Sequence, residues 1–358
     1  MSEKNSWLFN FSSYYDGGGL RRLIETARWF DQNEGGNFIV NEKAFKAVKT
    51  FSNKNVYFLV SPTRLERFFN DGSYLKDILQ NMTTPDVYFS YGIPIPFNIG
   101  KENWFHISNA TSLTTDKINL PLKRKIEMML LKQRIIKSLR FVQIISGESE
   151  YSLNLLRKND NIESKDFYFH ILPNGYNTVE VERVIEKVTT KECYAITVGT
   201  YRYKQLTLAF NVFQFLKKIN PKLEKFIIIG NKKDVPRKLL KSHIVEVDRY
   251  AKRGDRQKLI QLLSNAEYYI SASQIENSSI AALEGLILSG KVILSDIPSH
   301  REMLINNNYE EIFEENSKSR FLMARYENAN KIKEKYSWNQ VIPILYEILE
   351  KYREIKYR

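Results

Sequence analysis

The hydrophobic residues of this chain form short apolar runs that alternate with segments of helical periodicity. Runs of aromatic and β-branched residues predict buried strands, and they lie at 7–11, 56–60, 87–90, 104–109, 141–145, 194–199, 226–231, 244–247, 266–272 and 292–294. Apolar residues three or four apart predict helices, at 20–30, 123–139, 206–219, 255–265 and 280–289, with a charged helical segment from 310 and a last helix from 338. This alternation predicts an α/β protein with two doubly wound domains and a ligand at the carboxyl ends of the strands.

The stretch 266–294 is predicted to fold as a strand, a polar loop, a helix and a second strand. Asn277, Ser278 and Ser279 stand just before the helix, and such residues favour helix N-caps because their side chains accept hydrogen bonds from unpaired N–H groups. The loop therefore directs free N–H groups and the positive end of a helix dipole at one spot. An anion is stabilised at such a spot.

Two carboxylates bracket this predicted anion site. Glu276 lies in the loop and Glu284 in the helix, with seven residues between them. A carboxylate binds phosphate poorly, but it accepts hydrogen bonds from vicinal hydroxyls such as those of ribose or a hexose. Phosphate donors and hydroxyl acceptors together predict a nucleotide-sugar site. The alternative interpretation is an ordinary α/β unit with two solvated glutamates.

Composition predicts the number of domains, the cellular compartment and the class of partner. A chain of 358 residues is long enough for two domains, since single cores rarely grow past about 250–300 residues. The lone Cys193 excludes a disulfide framework. The chain lacks an apolar segment of roughly 18 residues and a secretory signal, which predicts a cytoplasmic protein. Its net charge of +13 favours anionic partners: nucleotides, lipid phosphates or nucleic acid.

Six short motifs occur in an order that resembles glycosyltransferase family 4. They are a glycine-rich loop at 15–19, His106, Pro173-Asn-Gly175, Lys204, Glu276-x7-Glu284 with the following Gly-Lys-Val-Ile-Leu-Ser-Asp and Glu302, and Ser337-Trp338. The resemblance implies a retaining, nucleotide-sugar-dependent hexosyltransferase with the GT-B fold, two Rossmann-like domains facing each other across a cleft. It also implies an acceptor domain at 1–176, completed by the helix 338–358, and a donor domain at 177–337.

The resemblance further implies roles for individual residues. The predicted catalytic residues are Glu276, beside the sugar and opposite the developing positive charge, Lys204, on the donor diphosphate, and His106, on the transferred sugar. The predicted donor-binding residues are Gly18, Gly19, Gly199, Arg202, Lys204, Gly230, Asn277, Ser278, Ser279, Ile280 and Glu284, with Glu284 on the ribose hydroxyls.

Several positions carry an open alternative, and the glycine loop fits a tight turn without a ligand equally well. Thr200 stands where the family has the clamp arginine, which leaves Arg202, two residues on, as the nearest candidate. His106 also fits a hydrogen-bonded core histidine. His300 and Arg301 follow the last predicted strand and either touch the donor or form a satisfied loop pair.

The resemblance implies no cofactor and no metal, because basic side chains and a helix terminus neutralise the diphosphate and no Asp-x-Asp occurs.

The predicted partners are a UDP- or GDP-sugar, a glycan or lipid-linked acceptor in bacterial-type surface polysaccharide assembly, and an anionic membrane surface at the inner face of the plasma membrane. The basic helix 123–140 would make that membrane contact, unless it is a solvated helix with one face in the core. The alternatives are an epimerase or phosphorylase on the GT-B fold, and a non-catalytic basic protein that binds membranes or nucleic acid. Carboxylates repel nucleic-acid phosphates, so nucleic acid is not a predicted partner.

Overall fold

A computed structural model of the chain divides into two compact units. It describes residues 5–49, 55–62, 72–115, 118, 120–158, 166–185, 191–248, 255–304, 309–314, 319–325 and 329–358. The first unit comprises Met1–Thr115, Leu122–Pro173 and Val341–Arg358, and the second comprises Asp116–Pro121 and Asn174–Gln340. From the sequence, the first domain was predicted to end at residue 176, and the chain was predicted to return to that domain at residue 338.

The first unit is built around a seven-stranded sheet with the order β3-β2-β1-β4-β5-β6-β7, in which every pairing is parallel. The strands are β1 Trp7–Asn10, β2 Gly36–Asn41, β3 Val56–Ser61, β4 Val87–Tyr91, β5 Glu102–Ile107, β6 Ile144–Gly147 and β7 Tyr168–Ile171. The helices are Gly17–Asn33, Glu42–Val48, Ser73–Leu79, Leu122–Ser138, Glu150–Arg157 and Ile344–Lys356.

Aromatic side chains dominate the core of the first unit. Trp7, Leu8 and Phe9 are consecutive and all buried, because helices cover both faces of a parallel sheet and each strand therefore carries apolar residues on both sides. The ring of Phe9 stacks on Phe38 at a centroid distance of 4.7 Å. Trp7 contacts Tyr346 at 5.4 Å, which packs the C-terminal helix Ile344–Lys356 onto this unit. Such ring pairs add about 0.5–1.5 kcal/mol each beyond their burial.

The second unit contains another seven-stranded sheet, with the order β10-β9-β8-β11-β12-β14-β13. Its strands are β8 Glu192–Val198, β9 Lys225–Ile229, β10 Val245–Asp248, β11 Ala266–Ser271, β12 Lys291–Ser295, β13 Glu310–Glu314 and β14 Ser319–Arg325. Its helices are Thr178–Ile185, Leu206–Ile219, Arg237–Leu240, Arg256–Asn265, Ile280–Leu288, Pro298–Met303, Ala329–Tyr336 and Trp338–Val341. The strands β8 to β12 pair in parallel, whereas β14 pairs antiparallel with both β12 and β13.

The sequence prediction of the strands was wrong or incomplete in several places. The charged segment from 310, predicted as helix, forms β13 and β14, because pairing of β14 with the buried β12 outweighs the weak helical preference of the segment. The strand predicted at 141–145 begins only at Ile144, since Leu139–Phe141 continues the preceding helix as a 3₁₀ turn. Strands β2 and β7 were not predicted.

Two predicted motifs meet in the second unit. The backbone N–H of Tyr176 donates to the carbonyl of Tyr336 at 2.8 Å, and the N–H of Trp338 donates to the carbonyl of Tyr176 at 3.1 Å. A Cβ on Gly175 would lie 2.8 Å from the indole of Trp338, so this position accepts only glycine without a shift. The Pro-Asn-Gly and Ser-Trp motifs therefore depend on each other for structural reasons.

Candidate active site

The strand order of the second sheet reverses between β8 and β11, which lie side by side although they are not consecutive in the chain. Ligands of open α/β sheets bind beyond the carboxyl ends of the strands at such a point. Strand β8 ends at Val198 and leads to Lys204, and β11 ends at Ser271 and leads to Glu276. The topology therefore brings these two predicted residues to the same edge of the sheet.

Lys204 and Glu276 form an ion pair at this edge, in which the Lys204 ammonium donates to Glu276 Oε1. Both side chains are 11% exposed. The Ser273 hydroxyl donates to the same carboxylate oxygen at 2.6 Å, and the backbone N–H of Gln274 donates to the carbonyl of Tyr203 at 2.8 Å. The two loops are thus joined through both backbone and side chains, and the ion pair is held in place.

Glu276 is an anion at neutral pH. Burial by itself raises the pKa of its carboxyl, but the Lys204 ammonium and the hydrogen bond from Ser273 more than offset burial, and the pKa lies below its ordinary value. A buried carboxylate that stays ionised can stabilise positive charge developing nearby.

The loop after β8 depends on Gly199, whose φ of +99° is unfavourable for other residues. A Cβ there would also lie 3.2 Å from Lys204 Cε, so the glycine leaves room for the lysine side chain. Thr200, at the position of the family's clamp arginine, packs against Gly230, where a Cβ would lie 2.3 Å from Thr200 Cγ2. Arg202 is exposed, in contrast to the buried Lys204.

The predicted anion site begins the helix Ile280–Leu288. Ser279 is its N-cap and accepts a hydrogen bond from Ala282 N at 3.3 Å, as the sequence predicted. Asn277, Ser278 and Ser279 are buried, and the side chain of Asn174 donates to the carbonyl of Ser278 at 2.7 Å. This contact fixes the loop that leads to the first helical N–H groups, which have no acceptor within the helix.

Glu284 does not stand as a solvated carboxylate. It is 1% exposed and forms a bidentate pair with Arg256, whose Nη1 donates to Glu284 Oε2 at 2.9 Å and whose Nη2 donates to Oε1. Arg256 Nε also donates to Glu180 Oε2 at 3.3 Å. Burial lowers the pKa of Arg256, but the two carboxylates outweigh burial and raise it above its ordinary value.

Gly18 and Gly19 belong to the first unit, where the glycine segment is not the loop that was predicted ahead of a helix from Leu20. The helix begins at Gly17, so both residues lie in its first turn. Gly17 takes the left-handed φ of +59°, and a Cβ on Gly19 would lie 2.1 Å from the ring of Tyr14. The glycines let the chain turn into the helix beside an aromatic ring.

His106 is wholly buried in a polar cluster at the carboxyl ends of β4, β5 and β6. Its ring stacks on Tyr91 at 5.1 Å, and its Nδ1 lies 2.8 Å from Ser146 Oγ. The Tyr91 hydroxyl donates to Glu148 Oε1 at 2.7 Å, and the Arg22 guanidinium lies 5.5 Å from the Tyr91 ring. Burial, with Arg22 second, lowers the pKa of His106 well below its ordinary value, so the ring is neutral at pH 7.

The predicted residues thus fall into two groups, each within one unit. The second unit brings together Lys204, Glu276 and the start of the helix Ile280–Leu288, with Gly199 and Gly230 supporting the loops; Gly18, Gly19 and His106 lie in the first unit. Sequence reasoning missed Arg256 and Glu148. Glu148 directly follows β6, so a search of strand ends would have found it, whereas Arg256 carries no local signal of its pairing with Glu284.

Comparison with known proteins gives one partial family match and several similar structures. Residues 179–336 match the family model described as glycosyl transferases group 1. The whole chain is similar in structure to sucrose-phosphate synthase from Thermosynechococcus elongatus, with a TM-score of 0.65, 11% identity and coverage of 97% of this chain and 98% of that one. The protein has the GT-B fold. The predicted fold class, two doubly wound α/β domains, is confirmed.

Two further solved structures have bound ligands. A UDP-forming trehalose-phosphate synthase from Burkholderia xenovorans in complex with glucose-6-phosphate has a TM-score of 0.64 at 10% identity, over 96% of this chain and 100% of that one. The Anabaena protein HepE in complex with UDP-glucose has a TM-score of 0.60 at 12% identity, over 99% of both chains. No curated protein sequence matches the chain significantly. The family match over residues 179–336 supports a glycosyltransferase, and the structural similarities show the fold.

Two searches of the described residues gave negative results. No group of three or more His, Cys, Asp or Glu side chains in that part of the chain is placed to hold a metal ion. Of the helices that the structure describes, none combines the length and the apolar character that crossing a membrane requires.

Proposed function

We propose that this protein is a retaining glycosyltransferase of the family 4 type, which moves a hexose from a nucleotide-diphosphate sugar to a glycan or glycolipid acceptor. The observation that carries the proposal is the Lys204–Glu276 pair at the strand-order reversal of the second unit. The match of residues 179–336 to glycosyl transferases group 1 supports the assignment of the donor to this unit.

In the proposed reaction, the bond between the anomeric carbon and the diphosphate oxygen breaks, and the acceptor oxygen bonds to that carbon from the same face. The acceptor proton passes to a phosphate oxygen of the leaving group. The Lys204 ammonium and the first N–H groups of the helix Ile280–Leu288 stabilise the charge on the diphosphate. Glu276, held ionised, faces the positive charge that develops on the sugar. This scheme uses side chains and a helix terminus in place of a metal or a cofactor.

We assign the ribose of the donor to Glu284, whose carboxylate Arg256 holds in one orientation. Each carboxylate oxygen has two acceptor sites, so Glu284 retains capacity for hydroxyls while it is paired with Arg256.

The exposed Arg202 is assigned to the outer part of the diphosphate, where it would take over from the arginine that Thr200 replaces. UDP- and GDP-sugars are the proposed donors, and the relative in complex with UDP-glucose supports a nucleotide sugar.

We assign contacts with the transferred sugar in the first unit to His106, whose neutral ring can exchange hydrogen bonds with a hydroxyl. Its Nε2 is buried and has no hydrogen-bond partner among the described residues. A glycan or lipid-linked acceptor in surface polysaccharide assembly, at the cytoplasmic face of the membrane, is proposed from the family resemblance.

A nucleotide screen tests the donor site. UDP or GDP at one hundred times its dissociation constant is expected to stabilise the protein by about 2.7 kcal/mol against unfolding, with the same shift with and without Mg²⁺. CMP, UMP and GMP serve as controls because they lack the diphosphate that Lys204 is proposed to bind, and ADP serves as a control for the base. Thermal unfolding followed by fluorescence measures the shift. No stabilisation by any nucleoside diphosphate would contradict the proposal, and a shift that requires Mg²⁺ would contradict metal independence.

The helix Leu122–Ser138 supports the proposed membrane contact, because its solvent face carries apolar residues. Leu122, Ile126, Met129 and Leu130 are 75%, 49%, 46% and 43% exposed, and they follow the i, i+4, i+7, i+8 spacing of one helix face. Lys123 and Lys137 are exposed on the same helix, and Arg140 follows it. An apolar face flanked by basic residues fits the surface of an anionic bilayer.

The double substitution Ile126→Glu with Met129→Glu is expected to weaken binding to vesicles of anionic and zwitterionic lipid at least tenfold. Each apolar side chain moved from water into the bilayer contributes about 1.5–3 kcal/mol, and each new carboxylate repels the anionic headgroups. Vesicle co-sedimentation measures the binding. Ile219→Glu is the matched control, since Ile219 is an exposed isoleucine at the end of a helix of the second unit. Equal binding by the control and the double variant would contradict the membrane contact.

A further inference from the structure

His300 lies beside the Lys204–Glu276 pair without belonging to the roles assigned above. It belongs to the short helix Pro298–Met303, which follows β12, and β12 pairs with β11. The Ser295 hydroxyl lies 3.3 Å from His300 Nδ1 and donates to the carbonyl of Ser273 at 2.6 Å. Ser273 in turn donates to Glu276. A short hydrogen-bonded chain therefore places the imidazole next to the ion pair.

The hydrogen bonds of the ring determine which nitrogen carries the proton. His300 Nδ1 lies 2.8 Å from the carbonyl oxygen of Ser295, and a carbonyl only accepts, so Nδ1 carries the hydrogen. Burial lowers the pKa of His300 to about 4, even though Glu276 acts to raise it. The ring is therefore neutral at pH 7 and has one proton. His300 Nε2 is consequently a lone-pair acceptor.

This acceptor is buried and unsatisfied. His300 is 0% exposed, and no donor within the described residues reaches its Nε2. Buried polar atoms in native proteins nearly always have a partner, and leaving one without a partner destabilises the fold. A ligand that brings a donor to this position would remove the penalty.

The chemistry of the acceptor restricts that ligand. A diphosphate has no proton to donate at neutral pH, and neither has the carboxylate of Glu276. A sugar hydroxyl has one, and in the proposed function the sugar lies beside Glu276. The Lys204 ammonium has three donors and gives one to Glu276, but none of them reaches His300 Nε2. Of the groups in the donor, the hydroxyls of the transferred sugar therefore fit His300 best.

We propose that His300 determines specificity for the transferred sugar, with its Nε2 accepting a hydrogen bond from one sugar hydroxyl. The inference rests on the proposed function, because it needs a nucleotide sugar at this edge of the second sheet. It adds to that function a contact made by the sugar and not by the nucleotide.

Two substitutions separate the two nitrogens of the ring. His300→Asn places an amide where Nδ1 lies, so it keeps a donor for the Ser295 carbonyl and loses the acceptor at Nε2. His300→Gln places an amide oxygen near Nε2 and can accept the same hydroxyl. Isothermal titration with UDP, GDP, UDP-glucose, UDP-galactose, UDP-N-acetylglucosamine and GDP-mannose gives the affinity of each protein for the nucleotide with and without the sugar.

We expect His300→Asn to bind the preferred sugar nucleotide about tenfold more weakly than the unsubstituted protein, which is the effect of one lost hydrogen bond. Its affinity for the nucleoside diphosphate should stay within about twofold, and His300→Gln should recover most of the loss. Unchanged affinity for the sugar nucleotide in His300→Asn would overturn the inference. So would an equal loss for nucleotide and sugar nucleotide, or an equal loss in both variants. If the unsubstituted protein binds no nucleoside diphosphate, the proposed function itself fails and the inference fails with it.

Discussion

Replacing Lys204 by methionine is expected to lower the rate of glycosyl transfer by about 10²–10³, the usual effect of removing one preorganised group that stabilises transition-state charge. Methionine keeps the length of the side chain and loses the ammonium that would neutralise the departing diphosphate. The rate of nucleotide release from the sugar donor that the screen identifies measures the effect.

The same substitution should also destabilise the fold, because Glu276 would remain as a largely buried carboxylate without its cation. Adding Glu276→Gln to Lys204→Met removes the unpaired charge. We expect this double variant to regain much of the stability and none of the activity. That result would separate the role of the pair in folding from its role in the reaction.

Arg202→Met is the matched control for Lys204→Met. It removes a cation that is exposed and lies two residues before Lys204 in the sequence. Arg202→Met should weaken donor binding only slightly. It should therefore lower the rate of glycosyl transfer far less than Lys204→Met does. If the two variants are equally active, the ion pair at the strand-order reversal is structural and the proposed clamp is wrong.

Replacing Arg256 by methionine is expected to lower the free energy of unfolding by roughly 3 kcal/mol, at the lower end of the range for breaking a buried ion pair. Glu284 is 1% exposed and would lose both of its bonds to the guanidinium, whereas Arg256 itself is 25% exposed and is partly solvated already. Urea denaturation measures the change.

Arg301 offers a matched control. It also bridges two carboxylates, those of Asp296 and Glu311, but its side chain is 39% exposed. Arg301→Met should therefore change the free energy of unfolding by less than about 1 kcal/mol. A double variant, Arg256→Met with Glu284→Met, should recover most of the stability because no buried charge remains, yet nucleotide binding should stay weak without the carboxylate. Equal destabilisation by Arg256→Met and Arg301→Met would show that burial of Glu284 has little effect.

Contacts in the structure bear on two interpretations that the sequence left open, one for the two glutamates and one for His300 and Arg301. The hypothesis of two solvated glutamates is wrong, since Glu276 and Glu284 are both largely buried and both paired with a cation. The alternative of a satisfied loop pair at His300 and Arg301 holds for Arg301, whereas the Nε2 of His300 has no hydrogen-bond partner among the described residues. Arg301 pairs with Asp296, and His300 bonds to Ser295.

The sequence by itself determined the fold class and the strand ends that carry the candidate site. Buried parallel strands need apolar residues on both faces, so β1, β4, β8, β9, β11 and β12 are visible as runs of aromatic and β-branched residues. The N-cap at Ser279 and the glycine at 199 are also local features, because one reflects hydrogen bonding within a helix turn and the other a left-handed φ.

Tertiary structure alone decided the strands β13 and β14 and the partners of the charged groups. Strand β14 forms in a charged segment because β12 offers it an edge, and β13 pairs in turn with β14; no local preference encodes either edge. Lys204 meets Glu276 across 72 positions of sequence, and Arg256 meets Glu284 across 28. An ion pair or a histidine tautomer depends on which groups the fold brings within about 3 Å, and the spacing of residues along a chain does not contain that distance.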